Sequence, residues 1–373
     1  MSEPIRVMVV DDSVVVRRAL TQAIESEPGA KVVATAANGR LALARLETLE
    51  VDVILLDIEM PELDGIETLR AIRQKWPTKP VVMCSTMTER GGAVTLDALA
   101  AGATDYVTKP SGHASFSEAI TQLGRELGRK IRAVVRRSSR QSITGLVPSS
   151  LAPVVTRAAV HAVEGPQVLA IGSSTGGPNA LLEVWRTLPR AFPVPIVIVQ
   201  HMPPIFTRLL AERMTALGGI PVREGVDGEP LLPGEARIAP GGRHMEIVGT
   251  ADAPTVHLND DEPENSCRPA ADPLFRSVAR VFGARSLGIV LTGMGQDALI
   301  GSRAIVEAGG SIVVQDEATS VVWGMPGYVA RAGLAREVVP LSEIGSSILR
   351  SFRLTSPAKG RDEHPRERLP LRP

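Results

Sequence analysis

Three polar residues in the C-terminal half of the sequence have the types and positions that acyl-transfer chemistry needs. Ser174 lies in the glycine-rich stretch 172–178, His201 directly follows an apolar run, and Asp297 lies just beyond the apolar run 287–291. A hydroxyl nucleophile needs a base to take its proton, and the base needs an acid to fix its tautomer. If the three runs are parallel neighbours, these side chains reach one crevice at the carboxyl edge of a sheet. The pattern therefore predicts cleavage of an ester or an amide, a reaction that requires no cofactor.

Each of these signals is weak by itself. The glycine-rich stretch lacks the lysine of a P-loop and the Gly-x-Gly-x-x-Gly spacing of a dinucleotide site. An isolated His201 is more readily explained as a helix-capping or turn residue. Cys267 is a possible thiol nucleophile, but no base is adjacent to it in the sequence. Asp297 is preferred as the acid because it follows a strand, although the same half of the chain contains Asp227, Asp260, Asp261, Asp272 and Asp316.

A second set of polar residues follows the apolar runs of the N-terminal half. Its members are Asp11 and Asp12, Asp57, Ser85 and Lys109. Three carboxylates at one sheet edge cannot all stay charged without a cation, and an oxygen-rich site suits Mg²⁺. With that cation present, an aspartate can accept a phosphoryl group. Asp57 is the best acceptor, because the adjacent Asp11 and Asp12 fit better as metal ligands; the alternative is that these acidic residues only cap helices.

The elements that position both sets alternate between short β-branched runs and helix-period segments. Strands are predicted at 5–10, 31–36, 51–56, 80–84 and 105–107, and then at 168–171, 195–199, 236–239, 245–248, 255–258, 287–291 and 311–314. This alternation is typical of parallel sheets wrapped by helices. The predicted fold class is α/β, with two doubly wound parallel-sheet domains at 1–125 and 166–355. A basic helical extension and a Ser/Pro/Ala-rich linker are expected at 126–165, and a disordered tail at 356–373.

Composition excludes several classes of protein. The chain has 373 residues, and 41 Lys plus Arg balance 41 Asp plus Glu, so a chiefly nucleic-acid-binding role is not expected. The two cysteines, Cys84 and Cys267, suit a reducing compartment. No apolar run approaches the length of a membrane span, and the N-terminus lacks the layout of a secretory signal. We therefore expect a cytoplasmic protein without membrane insertion.

The N-terminal motifs resemble those of the response-regulator receiver domain. They are Asp11-Asp12-Ser13, Leu56-Asp57-Ile58 with Met60-Pro61 and Asp64-Gly65, and Thr108-Lys109-Pro110. The resemblance implies a flavodoxin-like fold, Asp57 as phosphoacceptor and a histidine kinase as phosphodonor. It places Asp11, Asp12, Asp57 and the Glu59 main chain around Mg²⁺. Ser85, Tyr106 and Lys109 are implied as the residues that respond to phosphorylation.

The C-terminal motifs resemble those of the chemotaxis protein-glutamate methylesterase (CheB) family. They are Ile171-Gly172-Ser173-Ser174-Thr175-Gly176-Gly177-Pro178, Val199-Gln200-His201-Met202-Pro203, Ala239-Pro240-Gly241-Gly242-Arg243-His244 and Leu291-Thr292-Gly293-Met294-Gly295-Gln296-Asp297. The resemblance implies a Rossmann-like domain in which Ser174, His201 and Asp297 hydrolyse glutamate γ-methyl esters on chemoreceptors and deamidate receptor glutamines. It also implies that the main chain near Met294 binds the oxyanion. The chain departs from the family pattern at Ala298, where Gly is common, and at Ala270, where Ser is common.

These observations lead to the hypothesis of an esterase gated by phosphorylation, in which phosphate on Asp57 relieves occlusion of the Ser174 crevice by the receiver. One alternative keeps the chemistry but places the substrate on a receptor or partner outside chemotaxis. A DNA-binding response regulator is disfavoured, because the second domain is neutral and large; only the basic segment 129–140 favours it. A scaffold that binds without catalysis is disfavoured by the Ser, His and Asp set.

Overall fold

The structure, a computed structural model, describes residues 3–109, 116–143 and 165–354. It contains two parallel sheets, each covered by helices on both faces, and one separate hairpin. The fold is therefore α/β with two parallel-sheet units, as the alternating pattern predicts. The predicted tail and residues 144–164 of the predicted linker lie outside the described residues.

The first sheet has five parallel strands in the order β2-β1-β3-β4-β5. The strands are β1 (Ile5–Val10), β2 (Ala30–Ala36), β3 (Val53–Asp57), β4 (Val81–Ser85) and β5 (Asp105–Thr108). Its helices are α1 (Val14–Glu25), α2 (Gly39–Leu46), α3 (Gly65–Lys75), α4 (Glu89–Ala100) and α5 (Phe116–Ile143). Every residue of β3 and β4 is buried, which explains why these runs are continuously apolar rather than alternating.

The helices of this unit begin at residues that can cap them. The Ser13 side chain accepts a hydrogen bond from the Val16 amide at the start of α1, and Asp64 and Glu67 form a reciprocal capping box at the start of α3. Helix α5 is continuous across residue 125 and extends to Ile143. The division of the chain at 125, 165 and 355 remains a prediction.

The second sheet has seven parallel strands in the order β14-β13-β12-β6-β7-β9-β8. Its strands are β6 (Val168–Ser173), β7 (Ile196–Gln200), β8 (Val222–Glu224), β9 (Ala236–Ile238), β12 (Ser286–Val290), β13 (Ser311–Gln315) and β14 (Glu337–Val339). Its helices are α6 (Gly177–Trp185), α7 (Phe206–Ala216), α8 (Ala271–Phe282), α9 (Leu299–Glu307), α10 (Met325–Arg331) and α11 (Leu341–Ser351). The strand order reverses between β6 and β12, which is where ligands bind in open α/β sheets.

Two predicted strands do not join this sheet. They form an antiparallel hairpin of β10 (His244–Thr250) and β11 (Ala253–Asn259) that packs on α8. Every second residue is buried from Pro254 to Leu258 in β11, and Met245 and Ile247 are buried on either side of the less buried Glu246 in β10, as is typical of an antiparallel pair with one face on the core. The short edge strands β8 and β14 were not predicted, because three residues are too few to show a period.

No helix in the described parts of the chain combines the length and the hydropathy needed to cross a membrane.

Candidate active site

Ser174 stands at the carboxyl end of β6, just before α6. Its amide donates to Thr292 O (3.0 Å), so the loop after β6 is bonded to the loop after β12. Gly176 at the end of the loop has φ +77, and a Cβ there would lie 2.5 Å from Val321 Cγ2. A glycine is required here both by the left-handed backbone and by the close packing. The tight turn leaves Ser174 half-buried at the sheet edge.

The buried side chain of Gln200 joins the Ser174 loop to the His201 loop. Its Nε2 donates to Ser174 O (2.9 Å), and its Oε1 accepts from Ser173 Oγ (2.7 Å). The His201 amide donates to Ser173 O (3.1 Å). These bonds fix the backbones of β6 and β7 relative to each other just where both strands end. Gln200 was not among the site residues predicted from the sequence.

His201 and Asp297 form a direct pair. His201 Nε2 lies 2.6 Å from Asp297 Oδ2, and both side chains are almost fully buried. The Asp297 carboxylate also accepts from the Ala271 amide (2.6 Å) and the Asp272 amide (3.0 Å) at the first turn of α8. Burial alone would raise the pKa of Asp297, but its bonds with His201 and with these amides lower it to about 2. Asp297 therefore remains a carboxylate at neutral pH and can orient the imidazole.

Cys267 lies beside the same imidazole. Burial by itself would lower the pKa of His201, but interactions with Cys267 and Asp297 raise it to about 10. This contact could not be predicted from the sequence, because the two residues are far apart in the chain. Cys267 lies in a tight turn, in which it and Glu264 exchange backbone hydrogen bonds. The neighbourhood makes His201 easier to protonate than an ordinary histidine.

Within the described residues, no hydrogen bond joins Ser174 Oγ to the His201 ring. The two residues are held on bonded loops, and catalytic hydrogen bonds in ligand-free enzymes often form only when substrate binds. Because Nε2 is bonded to Asp297, a proton taken from Ser174 would have to go to Nδ1. The arrangement has the parts of a nucleophile, a base and an orienting acid at one sheet edge.

The loop that carries Met294 packs against Ser174. A Cβ on Gly293 would lie 2.9 Å from Ser174 Cβ, and the Gly293 amide donates to Val322 O (3.0 Å). In the part of the chain that the structure describes, the Met294 amide has no hydrogen-bond acceptor. It therefore remains available as a hydrogen-bond donor.

The residues predicted to form a phosphorylation site in the first unit lie close together. Carboxylate oxygens of Asp11, Asp12 and Asp57 lie within 4.8 Å of one another. Lys109 Nζ contacts Asp11 Oδ2 (2.8 Å) and Asp57 Oδ1 (2.7 Å). Burial and the charge of Asp11 raise the pKa of Asp57 despite Lys109, so a further cation would stabilise its ionised form. Hard carboxylate oxygens fit Mg²⁺.

The other predicted residues of this unit occupy different positions. Ser85 Oγ lies on the same cavity wall as Asp57, where it accepts from Thr95 Oγ1 (2.6 Å). The Glu59 side chain points to Arg90 (3.7 Å), which leaves only its main chain for the predicted metal role. Tyr106 is buried and stacks on Phe206 of the second unit, with ring centroids 4.9 Å apart.

Known proteins contain both units in one chain. The family model for CheB methylesterase matches residues 169–348, and that for the response regulator receiver domain matches residues 7–121. A protein-glutamate methylesterase/protein-glutamine glutaminase from Trichodesmium erythraeum is 45% identical over 92% of this chain and 98% of its own length. The chain belongs to this methylesterase family. A relative of the same name from a Nocardioides species is 47% identical over 95% of this chain and 97% of its own. The crystal structure of the Thermotoga maritima CheB methylesterase catalytic domain is similar to this chain at 36% identity and a TM-score of 0.49, covering 50% of this chain and 99% of that one.

The receiver of this CheB-family chain contacts the Ser174 loop directly. Thr175, next to Ser174, donates from Oγ1 to Asp105 Oδ2 (3.0 Å) on β5. Asp105 is also paired with Lys130 of α5 (3.3 Å). Beside this contact, Tyr106 stacks on Phe206, five residues after His201. The strand that carries Tyr106 therefore contacts both the loop after β6 and the segment after β7.

The two departures from the CheB pattern are accommodated locally. Ala298 is buried with φ +71, a left-handed conformation in which glycine has no steric penalty, so the common glycine is explained. Ala270 precedes α8 without capping it through a side chain. A serine there would find few donors, because Asp297 already accepts from the Ala271 and Asp272 amides and Pro273 has none. Asp297 itself performs the capping function.

The raised pKa of His201 predicts an unusual pH dependence. The base must be neutral to act, so esterase activity should increase with pH through a midpoint above the ordinary histidine value of about 6.5. Replacement Cys267→Ser keeps a hydrogen-bonding group but removes the ionisable thiol. The midpoint for kcat/KM should then move to lower pH; an unchanged or higher midpoint would show that Cys267 does not raise the pKa of His201.

Proposed function

We propose that this chain is a phosphorylation-activated protein-glutamate methylesterase that also deamidates glutamine side chains. The observation that carries the proposal is the buried His201–Asp297 pair, bonded at 2.6 Å next to the Ser174 loop at the reversal point of the sheet. The names of relatives that are 45% and 47% identical over nearly the whole chain support the substrate class.

In the proposed reaction, Ser174 Oγ attacks the γ-carbonyl carbon of the ester while His201 Nδ1 takes the hydroxyl proton. Asp297 stabilises the resulting imidazolium, and the Met294 amide donates to the oxyanion. The imidazolium then gives its proton to the leaving methoxide, and methanol departs, leaving an acyl-Ser174. Water, deprotonated by the same nitrogen, then attacks the acyl carbon; its bond to Ser174 Oγ breaks, the imidazolium returns the proton to Oγ, and the glutamate carboxylate leaves. For a glutamine substrate the leaving group is ammonia.

The partners and location follow from this activity. We propose methyl-accepting chemoreceptors as the substrates and a histidine kinase as the phosphodonor for Asp57, in the cytoplasm. Asp11, Asp12, Asp57 and the Glu59 main chain would hold Mg²⁺, which neutralises charge during phosphoryl transfer. Lys109, Ser85 and Tyr106 would respond to the phosphoryl group. An ester on a receptor outside chemotaxis would require the same chemistry.

We propose that the docked receiver restrains the esterase. The Thr175–Asp105 bond and the Tyr106–Phe206 stack couple β5 to the two loops that carry Ser174 and His201. Ion pairs Arg208–Glu89 and Arg213–Asp97 (2.7 Å) join α7 to α4 beside them. Phosphate on Asp57 would shift the receiver between two packings through Ser85 and Tyr106, and so release the loops.

Methanol release from methylated chemoreceptor membranes tests the proposed activity. The intact protein should release methanol, acetyl phosphate should accelerate the release, and Ser174→Ala should abolish it. Asp57→Asn should keep the basal rate but lose the acceleration, because the acceptor carboxylate is gone. Release by Ser174→Ala at the parental rate would refute the mechanism, and no release by the intact protein would refute the substrate assignment.

Charge reversal at the α4–α7 contact tests the restraint. Asp97→Arg places like charges opposite each other, so basal methanol release should increase roughly two- to fivefold, since an exposed pair is worth about 1 kcal/mol or less. The double variant Asp97→Arg with Arg213→Asp is the matched control, because it recreates an opposite-charge pair and should return the rate towards the parent. Equal basal rates in all three proteins would argue against restraint through this contact.

A further inference from the structure

A second buried carboxylate lies directly behind the catalytic pair. Asp272, in the first turn of α8, is fully buried. Its Oδ1 accepts from the Gly301 amide of α9 (2.6 Å), and its Oδ2 accepts from Asn265 Nδ2 (3.0 Å). Asp272 therefore joins α8, the helix after the Cys267 turn, to α9, the helix after Asp297.

The Asn265 amide group links this carboxylate to that of Asp297. The same Nδ2 that donates to Asp272 also donates to Asp297 Oδ1 (3.2 Å). An amide nitrogen has two hydrogens, so one NH₂ group can bond both carboxylates at once. Asn265 does this from a left-handed backbone conformation with φ +54, which costs free energy in a residue other than glycine.

With Asn265 in place, both oxygens of Asp297 are fully used. Oδ1 accepts from the Asp272 amide (3.0 Å) and from Asn265, and Oδ2 accepts from the Ala271 amide (2.6 Å) and from His201 Nε2 (2.6 Å). A carboxylate held through both oxygens cannot rotate about its Cβ–Cγ bond. The groups that donate to Oδ1 therefore help to fix the position of Oδ2, the oxygen that faces His201.

We propose that Asn265 and Asp272 are positioning residues of the esterase, which orient Asp297 and through it the His201 imidazole. This inference rests on the proposed roles of His201 and Asp297 and extends the active site to the 264–267 turn and the start of α8. Asp272 holds Asn265, and Asn265 holds Asp297. Neither side chain is assigned a contact with substrate.

The charges around Asp272 agree with this role. Burial and the charges of Asp297 and Glu264 raise the pKa of Asp272 to about 7, whereas the bonds from Gly301 and Asn265 lower it. Arg276 of α8, paired with Glu264 (2.6 Å), is the nearby cation. Asp297 and Asp272 share the Asn265 amide, and their pKa values differ. The site therefore requires Asp297, but not Asp272, to be ionised at neutral pH.

Steady-state kinetics of the intact protein test the proposal, with methanol release from methylated receptor membranes as the assay. Asn265→Gly removes the amide but accepts the left-handed backbone, so the turn is preserved. We expect kcat to fall roughly 10- to 100-fold, which is the effect of removing groups that orient metal ligands, with KM little changed. Asn259→Ala, which removes an amide bonded to Glu246 in the hairpin, is the matched control and should leave kcat unchanged.

A double variant separates positioning from folding. If Asn265 acts through Asp297, adding Asn265→Gly to Asp297→Asn should cause little further loss, because the carboxylate to be oriented is already absent. Asp272→Asn should lower kcat less than Asn265→Gly and alter the pH profile between about 6 and 8. Full parental kcat in Asn265→Gly, or additive losses in the double variant, would overturn the proposal. Absence of methanol release by the parent would instead refute the proposed function.

Discussion

The structure of the esterase depends on keeping one carboxylate ionised inside the protein. Asp297 is 1% exposed, and an unpaired charge at that depth would be prohibitively costly. The fold meets this constraint with the first amides of α8, the imidazole of His201 and the amide of Asn265. A helix N-terminus favours negative charge, so α8 contributes through its dipole as well as its hydrogen bonds. The placement of α8 behind the sheet edge is thus part of the active site.

The same constraint explains why the loops around the site are so closely bonded. If Asp297 is to orient His201, the ends of β6, β7 and β12 must keep fixed relative positions. Gln200 connects the first two, and Thr292 connects the first and third by accepting from Ser174 at its carbonyl and donating from Oγ1 to Thr175 O (2.9 Å). Thr175 is also the residue that meets Asp105 of the receiver. A displacement of the receiver would therefore act on a set of hydrogen-bonded loops rather than on a single side chain.

Much of this arrangement could be predicted from the sequence, because parallel strands are continuously apolar and their carboxyl ends gather polar residues at one edge. Ser174, His201 and Asp57 could be placed in this way, and Asp297 was preferred to the other aspartates of the second domain by its position after a strand. It could not find Gln200, Asn265 or the contact of Cys267 with His201. The positions of these residues depend on a turn with left-handed backbone at Asn265 and Ser266, and on contacts between distant segments of the chain. Neither feature leaves a periodic pattern in the sequence. The receiver contact was equally hidden, since Thr175 and Asp105 belong to different units of the fold.

We propose that Ser174 is the nucleophile and that the receiver controls its reactivity. Labelling the intact protein with a fluorophosphonate, followed by mass spectrometry of the labelled peptide, tests both parts together. We expect a single adduct on Ser174 that forms faster in the presence of acetyl phosphate and Mg²⁺. An adduct on Cys267 instead would rule out Ser174 as the nucleophile, and a rate at Ser174 that the phosphodonor does not change would rule out control by the receiver.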